Sequence, residues 1–183
     1  MANPLKIGII AGEESGDILG ADLIAALRKI SGRDVHLVGV GGSHLAAEGL
    51  VSLFDPSEIA LMGISAILSK LPRLISLIGK TATHVIDEKP DCLVVIDSPD
   101  FCHRVARKVR AANPSIPIIN YICPSVWAWR PGRAAAMRAY IDHVLAILPF
   151  EPQVLEELKG PPATYVGHRL ARDTGILNAA ANQ

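Results

Sequence analysis

The chain has 183 residues, enough to bury one good core, and its 18 basic and 18 acidic side chains cancel. That balance removes the overall field that would draw it to nucleic acid or to an anionic surface, so no nucleic-acid partner is expected. Hydrophobic residues make up 50% of the sequence and aromatic ones only 4%, the composition of parallel strands covered by helices on both faces.

Taken from the N-terminus, an apolar run predicts a first strand at 6–11, which passes directly into Gly12-Glu13-Glu14-Ser15-Gly16-Asp17. The run is too short for a signal-peptide core, and nowhere do about 20 apolar residues follow one another, so a soluble, cytoplasmic chain is expected. Gly12 to Asp17 reads as a strand-to-helix turn: its glycines permit a tight backbone, and Ser15 or Asp17 could cap a helix over 17–30. The spacing is not G-x-G-x-x-G, and two carboxylates would repel a pyrophosphate, which disfavours a dinucleotide here. Capping needs neither Glu13 nor Glu14, so a polar ligand is the further reading of this loop. A second strand at 36–40 runs into Gly39-Val40-Gly41-Gly42, which begins like the dinucleotide fingerprint but has His44 where a third glycine belongs. A plain turn into a helix at 43–48 is the expectation.

The next stretch, 62–88, is helical by its spacing, with a break expected near Pro72. Ile64, Ile67, Leu68, Leu71, Leu74, Ile75 and Ile78 recur on one face, widened by Leu61, Met62 and Leu77, with no acidic residue between Ile59 and Lys80. A single apolar face would be core. The width of this one, punctuated by Lys70, Arg73 and Lys80, suits an interfacial segment, with Met62, Ile64, Ile67, Leu68, Leu71, Leu74 and Ile75 meeting acyl chains or a membrane surface.

A strand at 92–97 ends on Asp97, with Asp100 just beyond Pro99. A carboxylate at the end of a buried strand is partly desolvated and aimed into a cleft, as a general base should be. Asp100 reads instead as the cap of a helix over 101–112. A strand at 117–122 then leads into Cys123-Pro124-Ser125-Val126-Trp127-Ala128-Trp129-Arg130-Pro131-Gly132, which carries both tryptophans of the chain. Two large rings and a guanidinium on a Pro-bounded loop suit a bulky, partly polar ligand, though the rings could also cap a core. A helix at 133–139, a strand at 144–148, a helix at 151–158 and a strand at 164–166 complete the pattern. His168, after Gly167, could serve a ligand or close a turn. The tail from Ala171 turns polar and Ala/Asn-rich. Cys92, Cys102 and Cys123 show no metal-ligand spacing and are odd in number, so reduced thiols and no metal site are expected.

Strands alternating with helices predict an α/β protein: a Rossmann-like, doubly wound parallel sheet in three α/β/α layers. Ligands of such sheets bind beyond the carboxyl ends of the strands. The segments that follow the strands here collect the polar, Gly-rich and aromatic residues on that one edge.

Six segments of the chain, in order, are similar to those of the lipid-A-disaccharide synthases, glycosyltransferases of the two-domain GT-B architecture. They are Ala11-Gly12-Glu13-Glu14-Ser15-Gly16-Asp17, Ala60-Leu61-Met62-Gly63, Ile96-Asp97-Ser98-Pro99-Asp100-Phe101, Pro124-Ser125-Val126-Trp127-Ala128-Trp129-Arg130, Leu148-Pro149-Phe150-Glu151 and Val166-Gly167-His168. The resemblance implies transfer, with inversion, of diacylglucosamine from its UDP-activated form to the 6-hydroxyl of 2,3-diacylglucosamine 1-phosphate, without metal or cofactor. It implies Asp97 as the base, Glu13, Ser15, Ser125, Trp127, Arg130 and His168 as substrate contacts, and peripheral association with the inner membrane. Family members run to about twice this length, so residues 1–170 are expected to be the acceptor-side domain and 171–183 an irregular tail. The donor-nucleotide domain would then be absent, through truncation, frameshift or a split gene, or be supplied by a separate C-terminal half.

Overall fold

The computed structural model describes residues 3–60 and 67–172. Among them, six strands form one all-parallel sheet: β1 (Leu5–Ala11), β2 (Val35–Val40), β3 (Cys92–Ile96), β4 (Ile118–Tyr121), β5 (His143–Ala146) and β6 (Ala163–Tyr165). Their order is β2-β1-β3-β4-β5-β6. The helices are α1 (Glu14–Ser31), α2 (Ser43–Ala47), α3 (Ser57–Ala60), α4 (Ile67–Glu88), α5 (Pro99–Ala112), α6 (Gly132–Met137) and α7 (Glu151–Glu157). This is the Rossmann-like, three-layer arrangement expected of the alternating pattern.

The layers follow from the two-residue period of the strands. Ile7, Ile9 and Ala11 of β1 turn to one face, where with Val94 and Ile96 they meet Ile24 of α1 and Leu45 of α2. Ile10, Val95, Ile118 and Val144 turn to the other, against Leu77, Ile78 and Val85 of α4, Val105 and Val109 of α5, Met137 of α6 and Leu155 of α7. Strands buried from both sides have no polar face to show, which is why β1 and β3 are almost wholly apolar. At Gly39 the close pairing of β2 with β1 excludes any side chain: φ is +138°, and a Cβ there would lie 2.0 Å from the Ile9 carbonyl oxygen.

Three local expectations need correction. First, α1 starts at Glu14, and neither Ser15 nor Asp17 caps it; Glu13 precedes it without a side-chain capping bond. Asp17 is buried and turned instead onto the start of α2. Second, α4 continues through Pro72. The proline falls early in the helix and is exposed, so it removes one backbone bond, while Leu77, Ile78, Ala82 and Val85 beyond it anchor the helix to the core. Third, α5 begins at Pro99, whose fixed φ and missing N–H suit a first helical position. Asp100 therefore lies inside the first turn, facing the positive end of the helix, and does not cap it.

Candidate active site

The chain leaves β1 toward β2 on one side and returns to β3 on the other, so the sheet has its switch point between β1 and β3. The crevice beyond the carboxyl ends of those two strands is where such folds place ligands. Gly12-Glu13 forms one lip and Asp97-Ser98 the other. Gly12 allows the lips to close, since a Cβ at that position would come 2.8 Å from the Ser98 hydroxyl oxygen. Ser98 donates to the Glu13 carboxylate across the gap at 3.4 Å. Glu13, Glu14 and Ser15 are exposed at the mouth.

Asp97 and Ser98 are consecutive non-glycine residues at φ +52° and +42°. Left-handed backbone of this kind costs on the order of 1 kcal/mol or more per residue and persists only where its surroundings impose it. Here the Asp97 N–H donates to the Tyr121 carbonyl at 3.4 Å, and the Ser98 carbonyl accepts from Phe101 and Cys102 at 3.0 and 2.9 Å. The turn ends β3 at Ile96, one residue before the end predicted at Asp97. It sets Asp97 in the wall of a cavity of about 270 Å³ that Asn120, His103, Ser125, Trp129 and Arg133 also line.

The chemistry of that cavity is narrow. Cys123 contributes to its floor, but burial, and then the charge of Glu151, push its thiol up to about 12, so it offers no thiolate. Burial likewise pushes the His103 imidazole down to about 4, where it is neutral at ordinary pH. What remains is one carboxylate, Asp97, one guanidinium, Arg133, the Asn120 amide, the Ser125 hydroxyl and the Trp129 ring. Such a set can take a proton from a hydroxyl, hold an anion and shelve a flat ring.

Both tryptophans stand outside the core, at 47% exposure for Trp127 and 64% for Trp129, while Val126 between Ser125 and Trp127 is the buried anchor of the loop. Trp127 meets Phe150 edge to face with centroids 5.4 Å apart. The Arg130 guanidinium lies 5.2 Å from the Trp129 ring centre. The rim of the cavity is therefore aromatic and basic.

Other expected contacts fall elsewhere. His168 lines a separate groove of about 650 Å³ on the α1 side, with Leu19, Leu23, Tyr121 and Arg169. Its Nδ1 accepts from the Leu170 N–H at 3.1 Å, closing the turn after Gly167. On α4, Leu74 packs against the core, Leu71 is half-buried and Ile75 is 54% exposed. Met62 and Ile64 lie outside the described residues, as do the side chains of Ile67 and Leu68. The Gly41-Gly42 turn, whose pattern hints at phosphate binding, already holds an anion of the protein's own. Asp17 accepts from the N–H groups of Gly42, His44 and Leu45 at 2.6, 2.8 and 3.3 Å.

Three lining residues escaped the sequence reading. Asn120 had a signal, a polar side chain inside a run of buried apolar residues, and Arg133 lay at the edge of the tryptophan loop. His103 had none, because nothing local separates it from other helix residues. Among the described residues, no three His, Cys, Asp or Glu side chains gather so as to hold a metal ion, and no helix is long and apolar enough to cross a membrane.

Comparison with known proteins agrees with the geometry. The profile of a family described as lipid-A-disaccharide synthetase matches residues 7–179. A lipid-A-disaccharide synthase of Nitrobacter winogradskyi is 55% identical over 183 residues, 100% of this chain and 46% of the relative. One from Nitrobacter hamburgensis is 54% identical over 178 residues, 97% of this chain and 45% of the relative. One from Rhodopseudomonas palustris strain HaA2 is 58% identical over 172 residues, 94% of this chain and 44% of the relative. The chain spans about half the length of the curated relatives it matches. With identity sustained along nearly all of it, on a parallel sheet that carries its polar loops at one edge, the chain belongs to the lipid-A-disaccharide synthetase family.

Proposed function

We propose that this chain is the acceptor-side half of an inverting glycosyltransferase that makes the lipid A disaccharide. In this reading 2,3-diacylglucosamine passes from its UDP-activated form to the 6-hydroxyl of 2,3-diacylglucosamine 1-phosphate, giving the disaccharide 1-phosphate and UDP. The observation that carries the reading is Asp97: a carboxylate at the switch point, held by left-handed backbone in the wall of a small cavity.

The roles follow from the side chains. Asp97 takes the proton of the acceptor hydroxyl as its oxygen bonds to the anomeric carbon. The bond from that carbon to UDP breaks on the opposite face, which inverts the centre without a covalent enzyme intermediate. Arg133, the cation of the cavity lining, matches the acceptor phosphate, with Arg130 at the rim. Trp127 and Trp129 offer flat faces to a sugar ring, and Ser125, Glu13 and Ser15 offer hydrogen bonds to its hydroxyls. His168, in the other groove, takes no part in proton transfer. The UDP-sugar is a substrate, its nucleotide belongs to the half of the relatives that this sequence does not span, and the reading calls on no cofactor or metal. Exposed Ile75, with Leu71 beside it, fits acyl chains at the cytoplasmic face of the inner membrane, a peripheral association.

The test joins this chain to the second half of the Nitrobacter winogradskyi relative and supplies both lipids in detergent, with mass spectrometry for disaccharide and UDP. The expected result is product, reduced by roughly 10²–10⁴-fold in Asp97→Ala. The 183-residue chain alone is expected to bind the acceptor lipid and make nothing. Undiminished turnover in Asp97→Ala would remove Asp97 from the mechanism, and product from the chain alone would show that the second half is not needed.

A further inference from the structure

Behind the cavity, four polar side chains from three parts of the chain are joined end to end. The Arg107 guanidinium donates to the Tyr140 hydroxyl oxygen at 3.2 Å and lies 4.5 Å from the centre of that ring. The Tyr140 oxygen is 3.1 Å from Nδ1 of His103, and Nε2 of the same imidazole is 3.2 Å from Oδ1 of Asn120. The Asn120 amide nitrogen then donates to the Ile122 carbonyl at 2.7 Å.

These contacts admit one arrangement of protons. The Asn120 nitrogen is committed to a carbonyl, so its oxygen faces His103 and Nε2 carries the ring hydrogen. In the neutral imidazole Nδ1 then accepts. Its donor is the Tyr140 hydroxyl, whose oxygen accepts in turn from Arg107. Every donor along the line points toward the exit of β4. His103, Asn120 and Tyr140 are at most 5% exposed, so the links are largely shielded from bulk solvent.

The last acceptor explains what the line is for. Ile122 has φ +72°, a conformation that a β-branched residue resists. It is the point where the chain leaves β4 and bends into Cys123-Pro124-Ser125, the wall facing Asp97. Its N–H donates to the Leu145 carbonyl at 3.0 Å and its carbonyl is held by Asn120, so both backbone groups are fixed. We infer that His103 is a positioning residue: by fixing the amide of Asn120 it keeps Ile122 in its left-handed turn, and so sets Ser125 and Trp129 against Asp97. The inference takes from the proposed function only that this cavity is the site; the coupling itself belongs to the fold.

The chain reports on this loop by itself, because its two tryptophans both lie there. His103→Phe keeps a ring and loses both bonds, whereas His103→Gln retains an N–H that can reach the Asn120 oxygen. Asn120→Asp accepts from His103 but cannot donate to Ile122. For His103→Phe and Asn120→Asp, loss of the near-ultraviolet circular dichroism of the tryptophans and a fall in their fluorescence anisotropy are expected, with far-ultraviolet dichroism unchanged. His103→Gln is expected to restore most of both signals. Tryptophan signals identical to the parent's in folded His103→Phe and Asn120→Asp, or no recovery in a folded His103→Gln, would overturn the inference. So would global unfolding of both disrupting variants, which would make the network core alone. In the completed two-half enzyme, His103→Phe should lower turnover and weaken acceptor binding, with Gln restoring both. If the unsubstituted two-half enzyme is inactive, the functional reading fails while the tryptophan result still stands.

Discussion

Asp97 shows at the scale of one residue how a fold can hold a side chain in a place its backbone resists. A glycine would accept φ +52° without strain, and alanine would not. Asp97→Gly is therefore expected to unfold about 1 kcal/mol less readily than Asp97→Ala in urea, although both lose turnover. Equal midpoints would mean that no strain resides there. Asp17 gives the opposite case, a buried carboxylate whose three backbone donors leave it no room for a ligand. Asp17→Ala strands those N–H groups in the interior and is expected to cost about 3 kcal/mol by urea unfolding. An unchanged midpoint would show that the start of α2 opens to water at little cost.

At the scale of an element, α4 tests whether an apolar stripe is core or interface. Neighbouring residues Leu74 and Ile75 differ in surroundings: the first packs on the core and the second is 54% exposed. Leu74→Ser is expected to destabilise by about 1–2 kcal/mol, since it removes a partly buried side chain from the core. Ile75→Ser is expected to stay within about 0.5 kcal/mol of the parent yet weaken binding to acidic phospholipid vesicles in flotation. Equal destabilisation by the two changes, or vesicle binding that ignores Ile75, would return the whole stripe to the core. The Trp127–Trp129 loop follows the same logic, with Val126 buried just before the exposed rings as a fixed stem for groups that face outward.

For the whole molecule, the His103 network links the site to stability. Burial first, then repulsion from Arg133 and Arg107, lowers the His103 pKa to about 4, while the Asn120 bond and Asp100 act the other way. The ordinary value is 6.5, so between these two values the unfolded chain binds a proton that the folded chain refuses. Stability from this group is thus complete above about pH 6.5 and is lost as pH falls toward 4, by up to about 3 kcal/mol. Urea midpoints followed over that range should fall more steeply for the parent than for His103→Gln. Parallel curves would mean that His103 keeps its ordinary proton affinity.

Much of this architecture was legible from the sequence because it is written in local periodicities. Buried strands are short apolar runs, helices repeat every three to four residues, and each strand ends where polar residues begin. From those facts came the parallel three-layer sheet, the edge where the loops gather, and Asp97 at the end of its strand. What only the tertiary structure decided rests on contacts between residues far apart in the chain. Asp17 reads as a cap for its own helix, but its partners are Gly42, His44 and Leu45. Pro72 reads as a break, but α4 continues past it, anchored by the packing of residues further along the helix. His168 ends in a different groove from Asp97, and His103 acquires its place only when α5, β4 and Tyr140 come together. Periodicity reports which face of an element is buried; only the packed layers determine which groups then meet across it.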